Sequence, residues 1–365
     1  VQREVYPLIT RLKNLDFWSW CRYFIDLSRD CPYGCCYCNT QKKSGFKGLH
    51  LIHGLPEEKE TIGLGLISDV YSPNVHQNHS LQSILDFLFN EGYSIHIMTK
   101  SVTILNDLDI LKKFAERGRV QITFTVLTLD EILSNQLEGL SPGPYERLLI
   151  LERLRSKGIP AGVTISPLIP HINDDEGSLT KLIKECKNRD ACWILFSGFS
   201  VVSSFMKGPL WKKTEELHSD TYRLAEHYKK VKKFVLKLLI HEGLPIRIPR
   251  ITLDVFKRRH YTQVVSEYLF NISYLYELYE NELKMLQYRR AAYEIENITV
   301  ALKTIASSKK LGYIKGINPE IEKVIEEILY TGRSTLYSAL YDNLVDETGE
   351  HPASRHIIDS CYVVH

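Results

Sequence analysis

The residues best equipped for chemistry lie in one short stretch, Asp30-Cys31-Pro32-Tyr33-Gly34-Cys35-Cys36-Tyr37-Cys38-Asn39. Cys31, Cys35 and Cys38 form a C-x3-C-x2-C pattern just after an apolar run, Tyr23 to Ser28, that predicts a strand. Three thiolates on one loop can each take an iron of a 4Fe-4S cube, and Pro32 and Gly34 supply the turns that bring the sulfurs together. The fourth iron is then open. Clusters used only for electron transfer normally carry four cysteines, whereas an open iron can bind a substrate or cofactor directly. Zinc is the competing use, with His50 and His53 as distant ligands. Structural zinc sites take four ligands, usually as paired C-x2-C or with His, and no second cysteine pair follows at a suitable spacing. Cys36 fits the cluster spacing less well and is expected to pack behind the loop.

Such a loop needs a scaffold. At 365 residues the chain exceeds the usual single-core size, so two domains are expected. From Tyr23 to about Arg250, β-rich runs alternate with amphipathic helical stretches, which predicts parallel strands joined by crossover helices. The strands are Tyr23 to Ser28, Thr61 to Ser68, Ser94 to Thr99, Val120 to Leu127, Ala161 to Ser166 and Cys192 to Phe196. Helices are expected over Leu81 to Asn90, Asp107 to Arg117, Pro144 to Lys157 and Leu179 to Lys187, with Gly92, Gly118 and Gly158 ending three of them. The fold class is therefore an α/β partial (β/α)6 barrel followed by a small all-α domain. Reactive groups in such barrels gather at the C-terminal strand ends. Those ends are Ser68-Asp69-Val70-Tyr71, Thr99-Lys100-Ser101, Thr123-Phe124-Thr125 and Ser166-Pro167-Leu168-Ile169-Pro170. Lys100 suits a carboxylate partner, and the hydroxyls of Ser68 and Thr125 suit a polar cofactor.

Composition narrows the class. Hydrophobic residues make up 44% and charged residues 25%, and no apolar run approaches the ~20 residues of a membrane span. The first residues show no secretory apolar region, and the eight cysteines do not read as a disulfide framework, so a reducing cytoplasm is expected. A net charge of +2 leaves any nucleic-acid surface to local clustering. The stretch from Gly198 to Gly243 is helical and rich in lysine (Lys212, Lys213, Lys229, Lys230, Lys232, Lys233, Lys237); it reads first as a solvated face and second as a phosphate track. Domain limits are set at 1–252, 253–345 and a tail at 346–365. The middle segment is helical, over Thr262 to Tyr279, Glu282 to Ile295, Thr299 to Ser307, Pro319 to Tyr330 and Ser334 to Tyr341. Within it, Lys309 to Ile321 reads as helix, tight turn, helix, with Asn318 capping and Pro319 in the first turn. Amides at such a helix start can bind phosphate, with Lys309, Lys310, Lys315 and Lys323 around them.

The cysteine loop, with an aromatic residue before its last Cys, resembles that of the radical S-adenosylmethionine enzymes. The succession of that loop, S-D-x-Y-x-P, T-K-S, L-E-G-x-S-P at Leu137 to Pro142 and S-P-L-I-P-x-I-N-D at Ser166 to Asp174 is similar to spore photoproduct lyase and its lyase-like relatives over about residues 20 to 200. That resemblance implies a 4Fe-4S cluster on Cys31, Cys35 and Cys38, with S-adenosylmethionine held by Ser68, Lys100 and Thr125. It implies an electron donor such as a ferredoxin or flavodoxin, and a lyase acting on a pyrimidine photoproduct or other base lesion in DNA. The lyase's hydrogen-donating Cys is Leu66 here, and the Tyr after its third cluster Cys is Asn39. Tyr71, Cys36 and Cys192 are the candidate donors, Tyr71 first by position. Residues 260 to 341 resemble the helix-hairpin-helix domain of family X DNA polymerases, which binds duplex backbone without reading sequence. That implies contacts from Lys309, Lys310, Lys315, Gly316, Asn318 and Lys323, with Asn318 in place of the second hairpin glycine and expected to tolerate a left-handed backbone. Two other functions remain open: a radical enzyme that modifies RNA, and a non-catalytic iron-sulfur protein that binds DNA.

Overall fold

The computed structural model describes residues 8–27, 31–38, 55–65, 68–73, 80–198, 209–252, 254 and 257–348. Asn39, His50, His53, Leu66 and the chain beyond 348 lie outside them. The chain divides into two compact units, and 12–20 clusters with the helices that follow Arg250 rather than with the sheet.

The curled half-barrel sheet, six of whose strands lie wholly in the first unit, has seven strands in sequential order. They are β1 (Leu8–Asp16), β2 (Cys21–Asp26), β3 (Thr61–Leu64), β4 (Ser94–Thr99), β5 (Val120–Thr125), β6 (Ala161–Leu168) and β7 (Ile194–Gly198). Strands β2 to β7 run parallel. Successive strand residues alternate between faces: Ile62, Leu64, Ile95, Ile97, Ile122, Phe124, Val163 and Ile165 are fully buried on one, and smaller or polar residues such as Gly63, His96 and Thr123 lie on the other. Two glycines make room for large rings on neighbouring chain. Phe24 pairs in register with Gly63, where a Cβ would lie 2.3 Å from its ring. At Gly162 a Cβ would lie 2.4 Å from the Trp193 indole, which in turn donates to Thr123 Oγ1 at 3.2 Å.

The connecting helices are α1 (Ser80–Asn90), α2 (Leu108–Glu116), α3 (Glu131–Glu138), α4 (Pro144–Arg155), α5 (Glu176–Asn188), α6 (Pro209–Ser219) and α7 (Thr221–His241). Gly92, Gly118 and Gly158 take positive φ of 84°, 62° and 75° after α1, α2 and α4, as the helix-ending role requires.

Four expectations are corrected. Strand β1 lies before the first predicted strand, where Arg11 and Lys13 interrupt its apolar residues. Strand β3 stops at Leu64 rather than Ser68: Gly65 turns left-handed at φ 93°, where a Cβ would lie 2.6 Å from Met98 O. Strand β7 starts at Ile194, leaving Cys192 before it. Helix α3 was missed because its polar residues obscure the helical period; Asp130 caps it, accepting from Leu133 N at 3.0 Å.

The second unit is helical: α8 (His260–Leu278), α9 (Glu282–Glu296), α10 (Leu302–Ser307), α11 (Pro319–Thr331) and α12 (Thr335–Thr348). Helix α8 is buried from Thr262 to Leu275. Phe17 stacks on its Phe270 at 5.3 Å, and Trp20 meets the same ring edge-on at 6.0 Å. Beside them the Arg250 guanidinium grips Glu296 through two bonds of 2.9 Å, with Ser266 Oγ donating at 2.6 Å and Arg259 at 3.2 Å. Burial opposes ionisation of Glu296, but the arginines and Ser266 outweigh it and hold the carboxyl below its usual range. A folded-state value below the unfolded one gives stability that is full above the ordinary carboxylate range and lost as pH falls through the folded value. Thermal stability of this unit should therefore fall as pH drops below about 4.5, and melting curves from pH 7 to 3 should lose part of that slope in Glu296→Gln.

Candidate functional site

The cysteine loop follows β2 and is stitched to the turn after α3. Cys36 N–H donates to Leu137 O at 2.9 Å, Leu140 N–H donates to Tyr33 O at 2.9 Å, and Cys38 N–H donates to Cys35 O at 3.1 Å. Close approach requires glycine on both sides. Gly34 has φ 65°, and Gly139, at φ 57°, comes so near that a Cβ would lie 2.5 Å from Tyr33 O. Cys35 is buried, while Cys31 and Cys38 are half-buried. Burial pushes the Cys35 thiol up, and the Lys100 ammonium pulls in the opposite direction.

Behind the loop lies a charged network that the motifs alone did not assign. Glu138, the last residue of α3, has a side chain only 1% exposed. It receives Arg147 Nη1 at 2.5 Å and the Tyr37 hydroxyl at 2.7 Å. Arg147 is fully buried and spends its other donors on Pro142 O, Thr125 O and Ser141 Oγ, each at 2.7 Å. Lys100, on the turn after β4, stands 3.8 Å from Glu138 Oε1 and 5.8 Å from the Tyr37 ring centroid. Burial would depress the Lys100 ammonium, but Cys35 and Glu138 more than offset it, so Lys100 stays a cation. Asp69 ties two strand ends together: it accepts from Lys100 N at 2.6 Å, Tyr71 N at 2.9 Å and Thr99 Oγ1 at 2.8 Å. Ser68 N–H reaches Asp26 Oδ1, at the end of β2, at 3.3 Å.

The structure thus brings Cys35, Lys100, the Ser68-Asp69 turn and the end of β5 at Thr125 into one connected region at the C-terminal strand ends. Other placements differ from expectation. Tyr71 is fully buried, and its hydroxyl lies beside Asp107 without a well-formed hydrogen bond. Cys192 precedes β7 and so belongs to the opposite end of the sheet. Cys36 packs against Leu127, Leu137, Ile169 and Trp211, and burial raises its thiol to about 11, as befits a bystander. Lys229, Lys230, Lys233 and Lys237 lie on the exposed side of α7, opposite the buried Val231, Val235 and Leu239. They form a solvated face.

Among the described residues no three His, Cys, Asp or Glu side chains stand close enough to grip one metal ion. A cube makes a different demand, since it takes one thiolate on each of three separate irons. Three thiols on a loop pinned at Tyr33, Cys36 and Cys38, beside the half-buried Lys100 ammonium, fit that demand.

In the second unit, Gly316 is left-handed at φ 85° and Asn318 is not: at φ −98° and ψ 170° it caps α11, its side chain accepting from Ile321 N at 2.9 Å. The expected left-handed Asn318 is corrected accordingly; the cap requires an extended backbone. Lys309, Lys310, Lys315 and Lys323 are exposed around this turn.

No family model matches the chain. It is 22% identical over 204 residues to the uncharacterized protein Rv2578c of Mycobacterium tuberculosis, covering 50% of this chain and 60% of the relative. It is 27% identical over 168 residues to the uncharacterized protein MJ0683 of Methanocaldococcus jannaschii, covering 42% and 63%. The chain thus spans about 60% of the length of these curated relatives. Similar solved structures include spore photoproduct lyase complexed with dinucleoside spore photoproduct, at TM-score 0.47 and 16% identity over 66% of this chain and 77% of that one. Streptococcus suis SuiB bound to S-adenosylmethionine is similar at TM-score 0.43 and 12% identity over 60% and 48%. Methylornithine synthase is similar at TM-score 0.43 and 15% identity over 62% and 63%. Among the described residues no helix is long and apolar enough to cross a membrane.

Proposed function

We propose that this chain is a radical S-adenosylmethionine enzyme acting on DNA, a lyase that repairs a pyrimidine photoproduct or another base lesion. The observation that carries the reading is the cysteine loop, pinned at the C-terminal strand ends with the Lys100 ammonium 5.8 Å from the ring of its Tyr37. Cys31, Cys35 and Cys38 would hold a 4Fe-4S cluster whose open iron, with S-adenosylmethionine bound, supplies a 5′-deoxyadenosyl radical. Lys100 offers its ammonium to the cofactor's carboxylate, and Ser68 and Thr125 contribute from the neighbouring strand ends.

The DNA grip is assigned to the turn before α11. A backbone phosphate would sit at the turn of Gly316 and Asn318, met chiefly by the charges of Lys309, Lys310, Lys315 and Lys323, because Pro319 has no N–H and the Ile321 amide is already bound to Asn318. Changing Lys309, Lys310 and Lys315 to Ala should weaken duplex binding about equally for all sequences and flatten the dependence on log salt by about 1 for each lysine that touched a phosphate. Fluorescence anisotropy across a salt series checks this. A clear preference for structured RNA in the same assay would defeat the DNA assignment. The reaction itself is tested by incubating reduced protein with ultraviolet-irradiated DNA and S-adenosylmethionine, then measuring nucleosides by mass spectrometry. Loss of one photoproduct is the expected outcome.

A further inference from the structure

We propose that Glu138 is a positioning residue for Lys100: held in place by Arg147 and Tyr37, it fixes the ammonium where the cofactor's carboxylate meets it. The inference rests on the cofactor assignment above and adds a residue to it. Glu138 is buried, and a buried carboxylate persists only with partners that satisfy it. Arg147 at 2.5 Å and the Tyr37 hydroxyl at 2.7 Å supply them, one on each oxygen. Lys100 at 3.8 Å lies within ion-pair range and beyond hydrogen-bond range. Its ammonium is therefore held near Glu138 by charge while its donors stay available to another anion.

The same geometry says what happens without that charge. Arg147 and Lys100 are two cations on the two oxygens of one carboxylate, at 2.5 and 3.8 Å, so they repel one another and Glu138 between them offsets it. With Gln at 138 the Tyr37 hydroxyl still has an acceptor, but Arg147 becomes an uncompensated buried cation beside Lys100 and drives the ammonium away. The Tyr37 bond ties this pair to the residue immediately before Cys38, 101 positions distant in sequence. One buried carboxylate thus registers the cysteine loop against the turn after β4.

A double-mutant cycle on the anaerobically reconstituted full chain separates positioning from general structural support. Wild type, Glu138→Gln, Lys100→Met and the double variant are compared for iron content, thermal midpoint and S-adenosylmethionine affinity by calorimetry. Glu138→Gln is expected to keep its iron and bind S-adenosylmethionine about tenfold more weakly, a coupling of the size measured between contacting charges. In the Lys100→Met background the same change should alter affinity less than twofold. An equal loss in both backgrounds, no loss in either, or a parallel fall in iron content overturns the proposal. Should Glu138→Gln fail to fold, Glu138→Asp, which keeps the charge but withdraws it by one methylene, is read by the same dependence on Lys100. Wild type that holds no iron and binds no S-adenosylmethionine refutes the cofactor assignment itself. Wild type that binds both, with a Lys100-independent effect at 138, refutes only the role of Glu138.

Discussion

Replacing Arg147 by Met is expected to destabilise the first unit by about 3–5 kcal/mol, the range for breaking a buried ion pair from one side. The guanidinium is fully buried and holds together four groups: Glu138, Thr125 O, Pro142 O and Ser141 Oγ. Met fills much of the space but leaves the Glu138 carboxylate buried with only the neutral Tyr37 hydroxyl, at 2.7 Å, and Lys100, at 3.8 Å. It also strips a donor from the carbonyl that ends β5. Chemical denaturation should show a lower midpoint with the slope preserved. Arg147→Lys keeps one charge but not the planar fork, so it should recover only part of the loss. A midpoint equal to wild type would mean that the buried network does not support the sheet's C-terminal end.

The second large effect concerns binding. Lys100→Ala should weaken S-adenosylmethionine binding by about 10- to 100-fold, the equivalent of one charge-assisted hydrogen bond of about 1.5–3 kcal/mol. Lys100 stays cationic in its half-buried site because Cys35 and Glu138 outweigh burial, and its Nζ makes no hydrogen bond to Glu138. Iron content should hold close to wild type, because the backbone bond from Lys100 N to Asp69 does not depend on the side chain. Unchanged affinity in Lys100→Ala would remove the carboxylate pocket from this account.

Much of the sheet was legible in the sequence because buried apolar residues recur at alternate strand positions; β4 runs from Ser94 to Thr99 as its Ile95, Ile97 and Thr99 predict. The glycines after α1, α2 and α4 were legible for a similar reason, since a left-handed helix end selects for them. The motifs Ser68-Asp69 and Thr99-Lys100 were visible as strand-end pairs, but the bond from Asp69 to Lys100 N that joins them was not. Glu138 and Arg147 were hidden by their surroundings. One closes a short polar helix and the other sits in the first turns of α4, so both read as surface charges until folding buries them against each other. A charge in a segment that otherwise marks a turn, such as Glu138 before Gly139, was the available signal. Tyr71 was legible as a residue beside a strand end, but its full burial was not.

The central claim is that Cys31, Cys35 and Cys38 carry a radical-generating cluster. The most direct test is anaerobic reconstitution, followed by counting iron and sulfide and assaying reductive cleavage of S-adenosylmethionine. Wild type should hold about four irons and four sulfides per chain and release methionine and 5′-deoxyadenosine on reduction, and Ala at any one of the three cysteines should abolish cleavage. Full cleavage by any of those variants, or wild type that takes up no iron, would contradict the assignment.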